Sequence, residues 1–167
     1  MSREELAEYV EILSKNILTI DGHYFLAIEK RYGLEKSIEI DREAWEAYAV
    51  TEAKRIMALL DINDGTLAEL QRAIQLIAFA PVSGVETTLV DGRLIVTITK
   101  CRPQYARNRD GKGEFPCKPV GLAHLSTFAK TINPLIKTRC RCAPPDLHPK
   151  EYYCSWEFYI DGSDPAV

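Results

Sequence analysis

Residues 85–101 read VETTLVDGRLIVTITKC, and this stretch predicts a β-hairpin in the middle of the chain. Two runs rich in β-branched residues flank the dipeptide Asp91-Gly92, which suits a tight turn with two positive φ angles. Helical patterns precede the hairpin, and two more strand patterns follow it. The hairpin therefore marks the change from a helical half to a half built on antiparallel strands.

Four helices are predicted before the hairpin, because apolar residues recur there at three- and four-residue steps. The first covers residues 4–18, and its apolar stripe is formed by Leu6, Tyr9, Val10, Leu13 and Ile17. The others are residues 22–32 with a cap at Asp21 and an end at Gly33, a helix capped by Asp41, and a helix from the capping box Thr66–Glu69 to Pro81.

The second half predicts two hairpins around one helix. The segments are a basic loop over residues 102–116, a helix over residues 117–132, and strands over residues 135–142 and 152–160. Four helices followed by ββ-α-ββ predict an α+β fold, with an antiparallel sheet packed against helices. We expect a single domain over residues 1–167, with a mainly helical part at 1–80, the two hairpins at 85–160, and a frayed tail after residue 160.

Composition narrows the class of protein. The chain has 167 residues, 46% of them hydrophobic and 27% charged, as is typical of a globular domain. A net charge of −3 argues against nucleic acid as a partner. No apolar run approaches the roughly 20 residues that span a membrane, and the acidic N-terminus does not resemble a signal peptide. A cytoplasmic protein without nucleic-acid or membrane partners is expected.

All five cysteines lie in the second half, which predicts one site built there. In a reducing compartment such a cluster favours metal binding or reactivity over disulfides. Zinc takes about four ligands and prefers thiolate sulfur. The candidate ligands are Cys101 at a strand end, Cys117 at a helix start, Cys140 and Cys142 on the inward face of one strand, and Cys154 on the next strand. No CxxC or HExxH spacing supports this site, so reduced cysteines packed as small hydrophobes are the alternative.

Further side chains are candidates for a ligand pocket or for catalysis. Trp45 and Tyr48 on the third helix, and His124 and Phe128 on the later helix, predict either a pocket wall or plain core. Asp146 and His148 in the proline-rich connector are proton-transfer candidates or surface residues. A nucleophilic pair of Cys117 with His124 or His148 is a further alternative. His23 at a helix start is read as a structural histidine.

The segment from Lys100 to Ile160 resembles the 4-vinyl reductase domain superfamily. Those domains show a cysteine opening a helix, a strand ending in a cysteine, and a strand with a Cys-x-Phe-like start. The corresponding positions here are Cys117, then Cys140 or Cys142, then Cys154 followed by Trp156 and Phe158. Through TKCRPQ, GEFPCKPVG and CSWEF, the whole chain is also similar to a prokaryotic cytosolic family related to L-2-amino-thiazoline-4-carboxylate hydrolases.

The resemblance implies an apolar ligand cavity between sheet and helices, and a homodimer. In some sensor relatives three cysteines and one acidic residue hold zinc beside that cavity; here the acidic position falls near Cys101. The loop before Cys154 is longer in this chain, two cysteines compete for one place, and no DNA-binding or ATPase domain is attached.

The expected function is therefore a zinc-binding module with an apolar pocket for a small organic ligand. The alternatives are a hydrolase of a thiazoline-like or cyclic amidine substrate, and a structural or interaction protein with reduced core cysteines.

Overall fold

The computed structural model describes residues 1–161, and it confirms the predicted α+β class. The predicted fraying of the tail falls outside this range from residue 162 onward. The elements are α1 (Arg3–Tyr32), α2 (Leu34–Leu60), α3 (Leu67–Ile74), α4 (Ala80–Ser83), β1 (Val85–Val90), β2 (Arg93–Ile98), α5 (Arg102–Arg109), α6 (Lys118–Ile132), β3 (Ile136–Cys142) and β4 (Cys154–Ile160). No helix in this range is long and apolar enough to cross a membrane.

The four strands form one antiparallel sheet in the order β1-β2-β4-β3. The turn between β1 and β2 is the predicted one, since Asp91 and Gly92 have φ values of 48° and 68°. The central pair is β2 and β4, in which Val96 lies opposite Trp156. This pairing places the two hairpins side by side and brings the cysteine at the start of β4 next to the end of β2.

One face of the sheet packs against the helices and forms the core. The cluster of buried residues combines α2, α3 and α6 with inward residues of the strands, among them Leu70, Ile74, Phe128, Val96 and Phe158. The opposite face is polar. There the carboxylate of Glu157 is buried and accepts hydrogen bonds from Arg93 at 2.5 Å and Arg139 at 2.7 Å. The sheet therefore separates an apolar layer, which holds the cavity described below, from a charged surface.

The first two predicted helices form a single 30-residue helix, and the predicted cap at Asp21 is wrong. No proline interrupts this stretch, and Gly22 continues the helix. Gly33, with φ of 85°, ends α1 as predicted. The next helix begins at Leu34 rather than at Asp41, so Asp41 is an internal, buried residue of α2. Both aspartates therefore lie inside helices, and neither caps a helix end.

The predicted basic loop contains a helix, α5. Its polar sequence has no apolar stripe, and tertiary contacts hold it in place. The buried amide of Gln104 donates to the backbone oxygen of Phe115 and accepts from the backbone nitrogen of the same residue, each at 2.7 Å. Arg107 forms an ion pair with Glu29 of α1 at 3.2 Å. These bonds press Phe115 and α5 against one end of the helical layer.

The apolar stripe predicted on the first helix is exposed. Leu6, Tyr9, Val10 and Leu13 are between 43% and 50% exposed, whereas Ser14 and Phe25 of the same helix are buried. The exposed apolar residues Leu6, Val10, Leu13, Ile20 and Tyr24, together with the half-buried Ile17, follow one another at alternating steps of four and three. That spacing is typical of the apolar seam of a helix that packs on another helix. We call these six residues the seam of α1.

Candidate functional site

A cavity of about 140 Å³ lies between α1, α2, α6 and the sheet. Most of its wall is apolar, and aromatic rings of Trp45, Phe79, Phe115 and Trp156 contribute much of it. The polar groups in the wall are the carboxyls of Asp21 and Asp41, the hydroxyl of Ser83, the imidazole of His124 and the thiols of Cys101, Cys117 and Cys154. An apolar cavity with a few convergent polar groups is the usual form of a small-molecule site.

Two carboxyls lie side by side in the cavity wall. Asp21 of α1 and Asp41 of α2 hydrogen-bond to each other, and the indole Nε1 of Trp45 donates to Asp21 Oδ1 at 3.1 Å. Burial raises the pKa of both groups, and the charge of Asp21 adds to the effect on Asp41, whose pKa rises to about 8. Asp41 therefore keeps its proton at neutral pH and can donate it to Asp21.

This shared proton predicts a pH-dependent stability. The folded chain keeps a proton on Asp41 that the unfolded chain releases above about pH 4. The stabilisation is fully present below that pH and is lost as the pH rises to about 8. Asp41→Asn keeps the shape without titrating. Between about pH 5 and pH 8 we expect the wild type to lose about 3–4 kcal/mol more free energy of unfolding than the variant does. Urea denaturation at both pH values measures this difference, and equal losses would contradict it.

A second buried pair, Glu52 and His124, links the cavity wall to α2. Glu52 of α2 contacts Nε2 of His124 through Oε2 at 2.8 Å. Its Oε1 accepts from the backbone nitrogen of Ala78 at 2.6 Å and from the hydroxyl of Tyr48 at 3.2 Å. Burial, followed by the charge of Glu52, raises the pKa of Tyr48 to about 12, so the phenol remains a donor. Glu52 therefore joins α2, α6 and the segment before α4 at one point.

The four predicted pocket residues divide into two kinds. Trp45 and His124 line the cavity. Tyr48 and Phe128 lie outside its wall, and their rings pack against the imidazole of His124 at 6.4 Å and 6.2 Å between centroids. The ring of Trp45 is closer, at 5.1 Å. Tyr48 and Phe128 thus position a cavity residue rather than contacting the cavity.

Three of the five cysteines line the cavity: Cys101, Cys117 and Cys154. Burial raises the pKa of Cys101 to about 12, that of Cys117 to about 11 and that of Cys154 well above its usual value, and neighbouring thiols add to the effect for Cys101 and Cys154. The start of α6 favours a thiolate at Cys117, but burial outweighs it. Gln104 Nε2 donates to the sulfur of Cys117 at 3.4 Å. These thiols are neutral at physiological pH.

The other two cysteines differ from each other because of a β-bulge. Cys140 lies opposite Trp156 and Cys142 opposite Ser155, so the register shifts between them. Cys140 packs against the core, and burial raises its pKa to about 11. Cys142 lies beside the side chain of Tyr152. The prediction that both share one inward face is therefore wrong, since the bulge breaks the alternation.

A zinc site requires that several of the predicted ligands lie close enough together to bind one ion. Within residues 1–161, no group of three or more His, Cys, Asp or Glu side chains is placed so that it could hold a metal ion. Cys101, Cys117, Cys140 and Cys154 are close enough to influence one another electrostatically, but their sulfur atoms do not converge as ligands. In this arrangement the cysteines do not form a zinc site.

The two proton-transfer candidates lie away from the cavity wall. Asp146 accepts a hydrogen bond from Lys118 Nζ at 2.7 Å, and this contact lowers the pKa of the carboxyl. The imidazole of His148 contacts the backbone oxygens of Pro149 and Tyr152 through Nδ1 and Glu114 through Nε2, at 2.8–3.0 Å. The backbone carbonyl at Pro149, and next Glu114, raise the pKa of His148. Both residues tie down the proline-rich connector.

Asp21, Asp41 and Glu52 belong to the site, although the sequence pattern did not predict them there. Both aspartates were predicted to be helix caps, a role that the residue type suits equally well. One signal was present: Asp41, Trp45, Tyr48 and Glu52 follow one another at steps of four, three and four, so two carboxyls lie on the apolar face of α2. Acidic residues in such a stripe are rarely buried without a partner or a function.

Comparison with known proteins yields one relationship. No curated protein and no solved structure matches the chain. The family description given below names neither the 4-vinyl reductase domains nor the thiazoline-carboxylate hydrolases, so the resemblance to them stays a prediction. A family model matches residues 1–160, nearly the whole chain. The chain thus belongs to the family described as "Family of unknown function (DUF6125)".

Proposed function

We propose that this protein binds a small, largely apolar organic molecule in the cavity between α1, α2, α6 and the sheet. The observation that carries the proposal is the cavity itself, about 140 Å³ in volume and walled mainly by aromatic and aliphatic side chains. An apolar cavity of about this volume accommodates a molecule the size of benzene. The location also supports binding, because clefts between packed elements with few polar groups are where ligands are usually held.

The chemistry of the wall favours binding over turnover. A cysteine hydrolase needs a thiolate, and the pKa values of Cys101 and Cys117 are raised to about 12 and about 11. The proposed proton-transfer groups Asp146 and His148 are engaged elsewhere. The hydrolase alternative therefore rests on the resemblance alone, and the structural alternative does not account for a buried carboxyl pair at a cavity.

Tryptophan fluorescence gives a direct test, since both tryptophans of the chain, Trp45 and Trp156, line the cavity. We expect cyclopentanol to change the emission with a saturable dependence on concentration. Val120→Phe, which adds a ring inside the cavity wall, should abolish the change. Leu122→Phe, at an exposed position of the same helix, is the matched control and should retain it.

A linear, non-saturating response overturns the proposal, as does an equal response in Val120→Phe. Leu18→Phe, from the α1 wall, provides a second filled cavity where Val120→Phe folds poorly. Circular dichroism of each variant confirms that the helical content is unchanged.

The zinc site stays a prediction with its own measurement. Its support is the grouping of Cys101, Cys117, Cys140 and Cys154 near one end of the cavity. Binding would require these thiols to lose their protons and move together. Elemental analysis of protein purified without chelator decides the question: about one zinc per chain would support the site, and metal-free protein would remove zinc from the proposal.

The proposed cellular setting is the cytoplasm, and the proposed partner besides the ligand is a second copy of the chain. The exposed seam along α1 supports self-association, because helices with this spacing bury their apolar residues against another helix. Light scattering should give twice the mass of one chain. Leu13→Glu, in the middle of the seam, should give a single-chain mass if α1 is the interface.

A further inference from the structure

Two polar side chains of the cavity wall contact Trp45. One is the carboxylate of Asp21, which is held by the indole of Trp45 at 3.1 Å. The other is the imidazole of His124, whose ring centroid lies 5.1 Å from that of Trp45. Trp45 therefore connects the two groups, and a ligand that lies against its ring is within reach of both.

The imidazole of His124 presents one ring nitrogen that the protein does not use. The residue is 2% exposed, and Nε2 contacts Glu52 Oε2 at 2.8 Å. Nδ1 makes no hydrogen bond with the described residues 1–161. His124 therefore adds a polar edge to the cavity wall.

The cavity also carries a negative charge that the chain does not balance there. Asp21 accepts hydrogen bonds from the indole of Trp45 and from the protonated Asp41, which is the arrangement of an ionised carboxylate. Among the described residues that line the cavity, none is lysine or arginine. Buried charges are ordinarily paired, because an unpaired charge in an apolar environment costs free energy. A positive group supplied from outside balances this charge.

We propose that the ligand of this cavity is a small organic cation that carries a protonated amine. Its N–H groups donate to the carboxylate of Asp21, and its apolar body packs against the rings of Trp45 and Trp156. This inference rests on the proposed binding function and assigns the chemical class of the ligand. An inorganic cation does not use the apolar wall, which makes up most of the cavity surface.

Three probes of nearly equal shape test the inference: cyclopentylammonium, neutral cyclopentanol and anionic cyclopentanecarboxylate. Each is titrated at the same ionic strength and followed by tryptophan fluorescence. We expect the wild type to bind the amine at least about tenfold more tightly than the alcohol, as a charge-assisted hydrogen bond to a buried carboxylate predicts. The carboxylate should bind more weakly than the alcohol.

Asp21→Asn separates charge from shape. The asparagine oxygen can still accept from Trp45, but the negative charge is gone, so the preference for the amine should fall to about twofold or less while alcohol binding persists. Asp64→Asn makes the same change in net charge at an exposed position and should keep the full preference. Asp21→Ser, which also removes this charge, serves as the second cavity variant if Asp21→Asn is poorly folded.

The outcomes distinguish this inference from the binding function itself. Equal affinity for amine and alcohol overturns the cation inference and leaves the cavity as a binding site. A preference for the amine that survives in Asp21→Asn also overturns it. Binding of none of the three probes overturns the proposed function together with the inference.

Discussion

Glu52→Ala lowers the free energy of unfolding by about 3–5 kcal/mol, the largest effect we expect from a single substitution. The Glu52 side chain is 4% exposed and bonds to His124, to Tyr48 and to the backbone of Ala78. Its removal leaves all three groups without this acceptor, among them the buried imidazole of His124, and it opens a void between α2 and α6. Urea denaturation followed by circular dichroism measures the loss.

Two further variants establish the mechanism. Glu52→Gln retains one acceptor oxygen and should cost less, about 1–2 kcal/mol. Glu43→Ala, an exposed position on the same helix, should change the stability by no more than about 0.5 kcal/mol. A loss in Glu52→Ala no larger than that in Glu43→Ala would show that the buried network contributes nothing to stability.

Gly121→Ala is expected to lower the free energy of unfolding by about 2–3 kcal/mol, although alanine is the better helix former. Gly121 lies in α6 directly against Trp156, and a Cβ at this position would come within 2.7 Å of the indole atom Cζ2. The Trp156 ring is buried at the centre of the sheet and lines the cavity, so it has little room to move. We therefore expect a shifted tryptophan emission as well as lower stability.

Gly22→Ala is the matched control, because Gly22 is also a helical glycine but has no atom within 4 Å of a built Cβ. At this position the ordinary helix preference applies, and stability should rise by about 0.5–1 kcal/mol. Opposite signs at the two glycines would confirm that contact with Trp156, rather than helix propensity, sets the requirement at position 121. A stabilising Gly121→Ala would contradict the observed packing.

The fold was largely readable from local patterns. The turn at Asp91-Gly92, the capping box at Thr66 and the amphipathic helix α6 all depend on residues within a few positions of one another. For the same reason the alternation in β4 correctly placed Cys154, Trp156 and Phe158 on the core side. Patterns with periods of 2 and 3.6 residues need no knowledge of distant contacts.

The errors arose where a residue type allows two roles. Asp21 and Asp41 suit helix caps, yet each is internal to a long helix and faces the other across 20 positions of sequence. The bulge in β3 shifts Cys142 out of register with Cys140, and no local sequence pattern indicates a bulge there. Helix α5 was predicted as a loop because it has no apolar stripe. Its Arg107 and Gln104 are held instead by Glu29 and Phe115, which are distant in the sequence.

The sequence by itself determined the α+β class, the hairpin order and the concentration of cysteines in the second half, because turn chemistry and hydrophobic periodicity act between near neighbours. The tertiary structure alone decided which side chains share the cavity. It joined Glu52 to His124 across 72 positions and brought the carboxyl pair, three thiols and two tryptophans into one wall. Such convergence depends on how helices pack onto the sheet, since burial and charge at one point are set by elements that are remote in the chain.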